Sequence, residues 1–467
     1  MVSFGLIDEW EPVPGNLVSW VASPESVSRA EGAPAHPARP SHQQEQYLRA
    51  ADRNSATEFR FSGLCVVTAE IPDVLDRAAM TRAINAFLLR HDTFRTWFAI
   101  ERDGTVRRHL VPEQDVEFVS VEQGEIDNAE AIREHVQKTT PGPFQWDCFT
   151  FGAIEHHGST TVYLAVDHLH TDGVAQYLSC YELAHLYLRE GGQDAGALIT
   201  PGSYIEYCER ERAYSDQLTL NSPGVRKWLQ LVRANDGELP SFALDLGKSN
   251  EGYTRSAHRT IPLCDEDEAQ RFEQVCRDSG AEFTGGIFAV SALAERQLVD
   301  NDYFFTITPI STRGSIAEIA SVGWYVALIP VAFPIGSSAS FARMAASAQR
   351  AYSNGLELTQ VSFHRVLELV PADDTGISVR PGWSNPMISY VDARDFAGNE
   401  YFDVAQGGVY ANRATTEQVL IWINRLPSGT TLSVIYPDTP GAHESVERYI
   451  TTVKSVFLEV TKTVVAR

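Results

Sequence analysis

Val166-Asp167-His168-Leu169-His170-Thr171-Asp172-Gly173 closes an apolar run and opens a helical pattern. Upstream, residues 161–166 are short, β-branched and apolar, which predicts a buried strand. Downstream, Val174, Leu178, Tyr181 and Leu188 recur at helical spacing until Gly191-Gly192 stops the pattern. The octapeptide therefore falls at a strand-to-helix corner, where side chains are presented into a cleft and Gly173 lets the chain turn without a Cβ. It sets an imidazole, His168, four residues before a carboxylate, Asp172, and that pairing points to proton transfer. Spacing alone is weak evidence, since a chain with 13 histidines holds on the order of one accidental His-x-x-x-Asp. A His beside an Asp is also more often an ordinary polar pair at a loop.

Working outward, 467 residues exceed one ordinary core and predict two domains or two lobes. Hydrophobic content of 43% with 21% charged residues is that of a globular protein. A formal net charge of -23 without clustered Lys and Arg argues against a nucleic-acid partner, because phosphate binding needs such clusters. The six cysteines, Cys65, Cys148, Cys180, Cys208, Cys264 and Cys276, show no Cys-x-x-Cys pair or zinc spacing and are expected as reduced, packed thiols. Residues 1–10 carry Asp8 and Glu9 and lack the pattern of a signal peptide. The uncharged run 319–340 contains Pro330 and Pro334 and predicts a buried strand with its loops rather than a membrane span. The expected location is cytoplasmic, with peripheral association at the inner membrane face compatible with it.

Residues 22–40 form an irregular connection, residues 61–67 a strand, and Asp73 is expected to cap a helix carrying Leu75, Ala79, Ala83 and Phe87. Gly191-Gly192 through Gly196, then Pro201-Gly202, is the strongest mid-chain punctuation, so the lobes are divided as 1–195 and 196–467. In the second, residues 284–298 predict a helix, 303–308 a strand, and 419–423 with 432–436 a hairpin around Pro427-Ser428-Gly429. Val446, Tyr449, Ile450, Val453, Val456, Phe457 and Val460 mark a final amphipathic helix. The class is α/β or α+β with two comparable lobes.

The corner has companions. Arg90-His91-Asp92-Thr93-Phe94-Arg95-Thr96-Trp97-Phe98 resembles the Arg-His-x-x-Leu-Arg-Thr-x-Phe element of the condensation-domain superfamily, which shares the chloramphenicol-acetyltransferase-like fold. In that family's order follow the corner itself, similar to its His-His-x-x-x-Asp-Gly, then Ser203-Tyr204 with Tyr207, and Ser311-Thr312-Arg313. Val322-Gly323-Trp324-Tyr325-Val326 and Ser384-Asn385-Pro386 complete the set. One match is cheap; six in order are not. The resemblance implies two chloramphenicol-acetyltransferase-like lobes forming a V with the active site at their interface. The opening Asp8-Glu9-Trp10 and the Gly-Trp-Tyr wording look most like the polyketide-associated acyltransferases of mycobacteria and related actinobacteria. That likeness implies esterification of a hydroxyl on a trehalose-type sugar, a glycolipid or a long-chain diol with a fatty acyl group. The implied partners are acyl-CoA or an acyl-carrier protein as donor, the acceptor, and a polyketide synthase or a membrane lipid transporter. No cofactor is implied beyond the donor's own coenzyme A or phosphopantetheine.

By the same resemblance His168 is the base, and Asp172 forms an ion pair with an arginine, Arg313 first and Arg95 second. An imidazole titrates near working pH and suits removal of a hydroxyl proton, and the Gly173 N–H is placed to donate to the oxyanion. Two departures stand out. Asp167 replaces the first motif histidine and, alternating with His168 at a strand end, is expected to point to the other side as structural support. Ser384-Asn385 lacks the usual intervening Arg. His170 as an i, i+2 metal ligand has no third partner and is expected as a wall of the site, with no metal. Trp324 and Tyr325, with Ser384 and Asn385, are candidate channel residues, although aromatics in an apolar strand are more often core. His156-His157-Gly158 reads as a hairpin turn and Cys180 as packing. A free-standing amide-forming condensation enzyme shares the motif, and a non-catalytic scaffold of a polyketide synthase would share the fold; intact His168 and Asp172 argue against the scaffold.

Overall fold

The computed structural model describes residues 3–55, 63–247, 254–336, 340–371, 377, 386–394, 404–416, 418–427 and 429–462. The chain forms two compact units, and they interleave in sequence. The first holds residues up to Ala213, the segment Arg313–Tyr325 and the segment carrying strand Gly408–Ala411. The second holds Tyr214–Thr312, Val326–Arg394 and the chain from Thr415 onward. This grouping differs from the expected single division after residue 195. Residues 196–213 pack within the first unit, and two later segments return to it, which punctuation along the chain cannot reveal.

A seven-stranded sheet spans the first unit, in the order Ser3–Leu6, Gly408–Ala411, Leu64–Ile71, Ser159–Asp167, Phe149–His156, Gly15–Ala22 and Phe118–Ile126. Among the described residues of this sheet, only the edge pair Ser3–Leu6 and Gly408–Ala411 is parallel. Alternate side chains of its central strands enter two different cores. Leu164 and Val166 meet Phe87, Leu178 and Leu183 from helices Arg77–Arg90 and Gly173–Glu190. Tyr163 and Ala165 meet Ile132 and Val136 from helix Ala129–Thr139. Burial on both faces explains why 161–166 reads as a continuous apolar run. A small sheet of Ala35–His36, Val106–Leu110 and Thr96–Ile100 completes the unit.

The second unit has its own seven-stranded sheet: Val326–Pro334, Tyr303–Ser311, Pro386–Asp392, Val419–Leu426, Gly429–Pro437, Thr254–Cys264 and Thr415–Thr416. Strand Tyr303–Ser311 again serves two cores. Phe304 packs with helices Phe283–Val299, Phe341–Leu356 and Pro440–Lys462, while Phe305 and Ile307 pack with Trp228 and Phe363. The expected C-terminal hairpin and final helix are present, and the uncharged run 319–340 contains strand Val326–Pro334. The helix expected to start at Asp73 begins later: Asp76 accepts from the Ala79 N–H at 2.9 Å and caps it, while Asp73 bonds the Val74 N–H. No helix among the described residues is long and apolar enough to cross a membrane.

Candidate active site

Strand Ser159–Asp167 lies between Leu64–Ile71 and Phe149–His156 and carries the motif to its end. The Asp167 N–H donates to Cys148 O at 2.9 Å and the His168 N–H to Gly63 O at 2.8 Å. The chain then makes one 3-10 turn, His168–His170, capped by Asp167, whose Oδ1 accepts from the Leu169 N–H at 3.1 Å. Two residues later Asp172 caps helix Gly173–Glu190, its Oδ1 accepting from the Ala175 N–H at 2.8 Å. A carboxylate here satisfies an otherwise orphaned N–H and faces the positive end of the helix. The far end closes in a Schellman arrangement: Gly192, at φ 83°, donates to Arg189 O, and the Gln193 N–H reaches Leu188 O at 3.0 Å.

The second oxygen of Asp172 is equally occupied. Oδ2 accepts from Arg313 Nη1 at 2.7 Å and from the Tyr325 N–H at 2.8 Å. Both charged side chains are nearly sealed from solvent, 3% and 4% exposed. Arg313 spends its other donors on the carbonyls of Glu318, Ser321 and Gly323 and lies 4.5 Å over the Tyr325 ring. The pair thus clamps segment Arg313–Tyr325 to the N-terminus of the helix that follows the corner. Gly323 makes the fit possible, because a Cβ there would sit 2.5 Å from the Tyr204 ring.

Trp324, carried by that clamped segment, covers His168 with ring centroids 4.5 Å apart. Burial lowers the proton affinity of the His168 imidazole; its own carbonyl, Asp167 and Asp172 act in the opposite direction. Nδ1 is buried and meets no hydrogen-bond geometry among the described residues. Gly173 is exposed, with open space where a Cβ would be, and its N–H is the first of the helix, which has no intrahelical acceptor. The corner thus carries an imidazole and, five residues on, an exposed helix start.

A condensation-domain family model matches residues 64–376. The chain is 34% identical to "Acyltransferase PapA3" of Mycobacterium tuberculosis over 98% of this chain and 97% of that one. It is 35% identical to "Trehalose-2-sulfate acyltransferase PapA2" of the same species, over the same shares. The solved structure of "PapA2 acyl transferase" superposes with a TM-score of 0.92 at 34% identity, covering 98% of this chain and 99% of that one. The chain belongs to the condensation-domain family, among its Pap acyltransferases.

Within this acyltransferase site the expected residues separate. The structure brings His168, Asp172, Gly173, Arg313, Asp167 and Trp324 to one corner, all in the first unit. Arg95, the second candidate partner of Asp172, instead lies 3.3 Å from Glu113. His170 is fully buried: Nδ1 shares a hydrogen bond with Thr93 Oγ1 at 2.9 Å, and its ring packs on Phe94 and Phe149. It is a core residue and not a channel wall, and burial with the nearby Arg108 charge lowers its pKa to about 3. Tyr325 is likewise fully buried against Tyr204 and Tyr207, so its ring supports Arg313 and lines no channel. Ser384 and Asn385 lie outside the described residues. No metal-ligating cluster occurs among the described residues.

Five side chains enter that the motif reading did not assign. His91 accepts from the Val322 N–H at Nδ1 (3.2 Å) and meets Glu182 through Nε2 at 2.8 Å. Glu182 also receives Arg90 through both oxygens. Gln44 donates to Leu169 O at 2.9 Å, and the Tyr47 hydroxyl donates to Asp167 Oδ1 at 2.8 Å. Arg90 and His91 stood in a quoted motif whose contacts only the fold discloses. Gln44 and Tyr47 share one helical face, but nothing local ties that face to the corner.

Proposed function

We propose that this acyltransferase esterifies a hydroxyl of a trehalose-type sugar or glycolipid with a fatty acyl group taken from acyl-CoA or an acyl-carrier protein. The acceptor class is supported by the trehalose-2-sulfate activity named for its 35% identical relative. The observation that carries the chemistry is His168, an imidazole of lowered proton affinity on a corner fixed by the buried Asp172–Arg313 pair.

His168 is unprotonated at neutral pH and takes the acceptor's proton as the hydroxyl oxygen attacks the thioester carbonyl. The Gly173 N–H donates to the oxyanion, in a site where a donor of this kind is worth about 3–4 kcal/mol. As the C–O bond is completed and the C–S bond breaks, the proton passes from His168 to the leaving sulfur. Such a base contributes roughly 10²–10⁴ in rate. Attack is direct, in a complex of both substrates, and draws on no further cofactor. The thiols support this: burial pushes the Cys180 thiol up to about 12 and raises that of Cys208. Thiol release from palmitoyl-CoA with trehalose as acceptor tests the reading. It is expected to depend on His168, and unchanged release by His168→Ala, or an acyl-enzyme trapped by mass spectrometry, would overturn it.

A further inference from the structure

Asp167 takes no part in the proton path above, yet it is fully buried beside the base. A buried carboxylate is costly unless donors meet it, and here the Leu169 N–H and the Tyr47 hydroxyl do so at 3.1 and 2.8 Å. Tyr47 comes from helix His42–Arg53, which reaches the same turn a second time through Gln44 and Leu169 O. The Tyr47 hydroxyl also lies 3.4 Å from Gly63 O, the acceptor of the His168 N–H. Its ring stands edge-on to Trp324 at 5.5 Å, and Trp324 covers His168. Tyr47 therefore touches the carboxylate, the strand end and the aromatic cover of one imidazole.

We infer that Asp167, held by the Tyr47 hydroxyl, is a positioning residue for His168 whose carboxylate stabilises the imidazolium formed as the acceptor proton leaves. This rests on His168 being the base. The charges that act on the ring are Asp167 and Asp172. Asp172 is already paired with Arg313 and accepts two backbone N–H groups, so its field is largely spent. Among the described residues packed around the ring, Tyr47, Trp324 and Gly63 bring no charge. Of the two carboxylates, Asp167 acts more strongly in opposing the cost of charging the half-buried ring. The same geometry explains why a carboxylate is tolerated at a position where the family motif carries histidine.

The test separates charge from scaffold. Asp167→Asn keeps an oxygen for Leu169 and Tyr47 but deletes the charge, and Tyr47→Phe keeps the ring on Trp324 but deletes the hydroxyl. The His168 imidazole is titrated by NMR in histidine-labelled full-length protein, assigned through His168→Ala, alongside kcat and KM for palmitoyl-CoA with trehalose. In Asp167→Asn the His168 midpoint is expected to fall by up to about one pH unit, each unit being tenfold in proton affinity. kcat is expected to fall about 3–10-fold with KM for the donor unchanged. Tyr47→Phe is expected to move the same midpoint less. A midpoint unmoved in Asp167→Asn overturns the inference, whether or not melting temperature drops, and leaves the base assignment standing. Full activity in His168→Ala removes the base assignment itself.

Discussion

Asp172→Asn probes the clamp with the smallest change of shape. Asparagine caps helices as well as aspartate does, so one oxygen can still accept from the Ala175 N–H. The amide nitrogen then faces Arg313 Nη1 and the Tyr325 N–H, which now sit 2.7 and 2.8 Å from a carboxylate oxygen. Flipping the amide only moves the donor-to-donor conflict to Ala175. Because both charges are almost sealed from solvent, the guanidinium is left buried without its counter-ion, at a cost of about 3–5 kcal/mol. Against a total stability of about 5–15 kcal/mol that is a large fraction. Segment Arg313–Tyr325 is freed with it, so Trp324 loses its place over His168 and kcat falls. With two compact units a single unfolding midpoint averages over both, so amide exchange within Gly173–Glu190 is the sharper readout, measured beside thiol release at 15 °C. Replacing both members, Asp172→Asn with Arg313→Met, is expected to recover about 1–3 kcal/mol of the loss. Unchanged exchange and kcat in Asp172→Asn, or a double variant whose loss is the plain sum of the singles, would refute the clamp.

Three further outcomes follow from titration and burial. Activity is expected to hold as pH falls below 6.5, the ordinary histidine value, and to drop only as pH passes the lowered value of His168, because the base acts in its neutral form; a kcat/KM profile with its acid limb above 6.5 would contradict this. His170, neutral in the fold down to about 3, binds fewer protons than in the unfolded chain between pH 6.5 and 3, so stability falls with acid by up to about 5 kcal/mol across that window. His170→Asn should flatten that slope in urea titrations. Glu295, buried in the second unit, is raised by burial from 4.5 to about 8, the opposite case: stability is full below 4.5 and lost as pH rises through 8, again by up to about 5 kcal/mol. Glu295→Gln is expected to raise the melting temperature above pH 7 and to leave it alone at pH 4; a uniform shift would argue against a titrating Glu295.

What the sequence made legible is what short spacing encodes. His168, Asp172 and Gly173 lie within six residues of one another, and a strand end followed by a helix start fixes where they stand. The Arg313 partnership could be named from an ordered motif, though spacing by itself gives no hint of a contact across 141 positions. Failures arose where register or return decides. Tyr325 and Trp324 are neighbours, yet one ring is sealed among Tyr204 and Tyr207 and the other covers His168. Asp73 and Asp76 are both plausible caps, and only the packing of the helix start selects Asp76. Strand Gly408–Ala411 enters a sheet built from the first third of the chain, where it pairs with Leu64–Ile71. Its own residues are too few and too small to announce that.

The element from Arg90 to Thr96 offers a closing discrimination, because two of its members, four residues apart, do different work. Arg95 pairs with Glu113, whose side chain is 65% exposed, and such pairs contribute about 0–1 kcal/mol. His91 is fully enclosed. Since the Val322 N–H donates to Nδ1, the ring proton sits on Nε2 and is given to Glu182. One imidazole thereby joins helix Gly173–Glu190, through Glu182, to the segment that carries Arg313 and Trp324. It braces the same two pieces that Asp172 clamps, about two and a half helical turns beyond the corner. His91→Ala strands a buried N–H and weakens the hold on Glu182, at about 1–3 kcal/mol for the unsatisfied group before any cavity is counted. If the brace matters to catalysis, His91→Ala lowers kcat beyond what its loss of stability explains, and Arg95→Ala changes neither. Equal losses from the two variants would mean that the element acts only as core packing and that the Asp172–Arg313 clamp holds the corner without it.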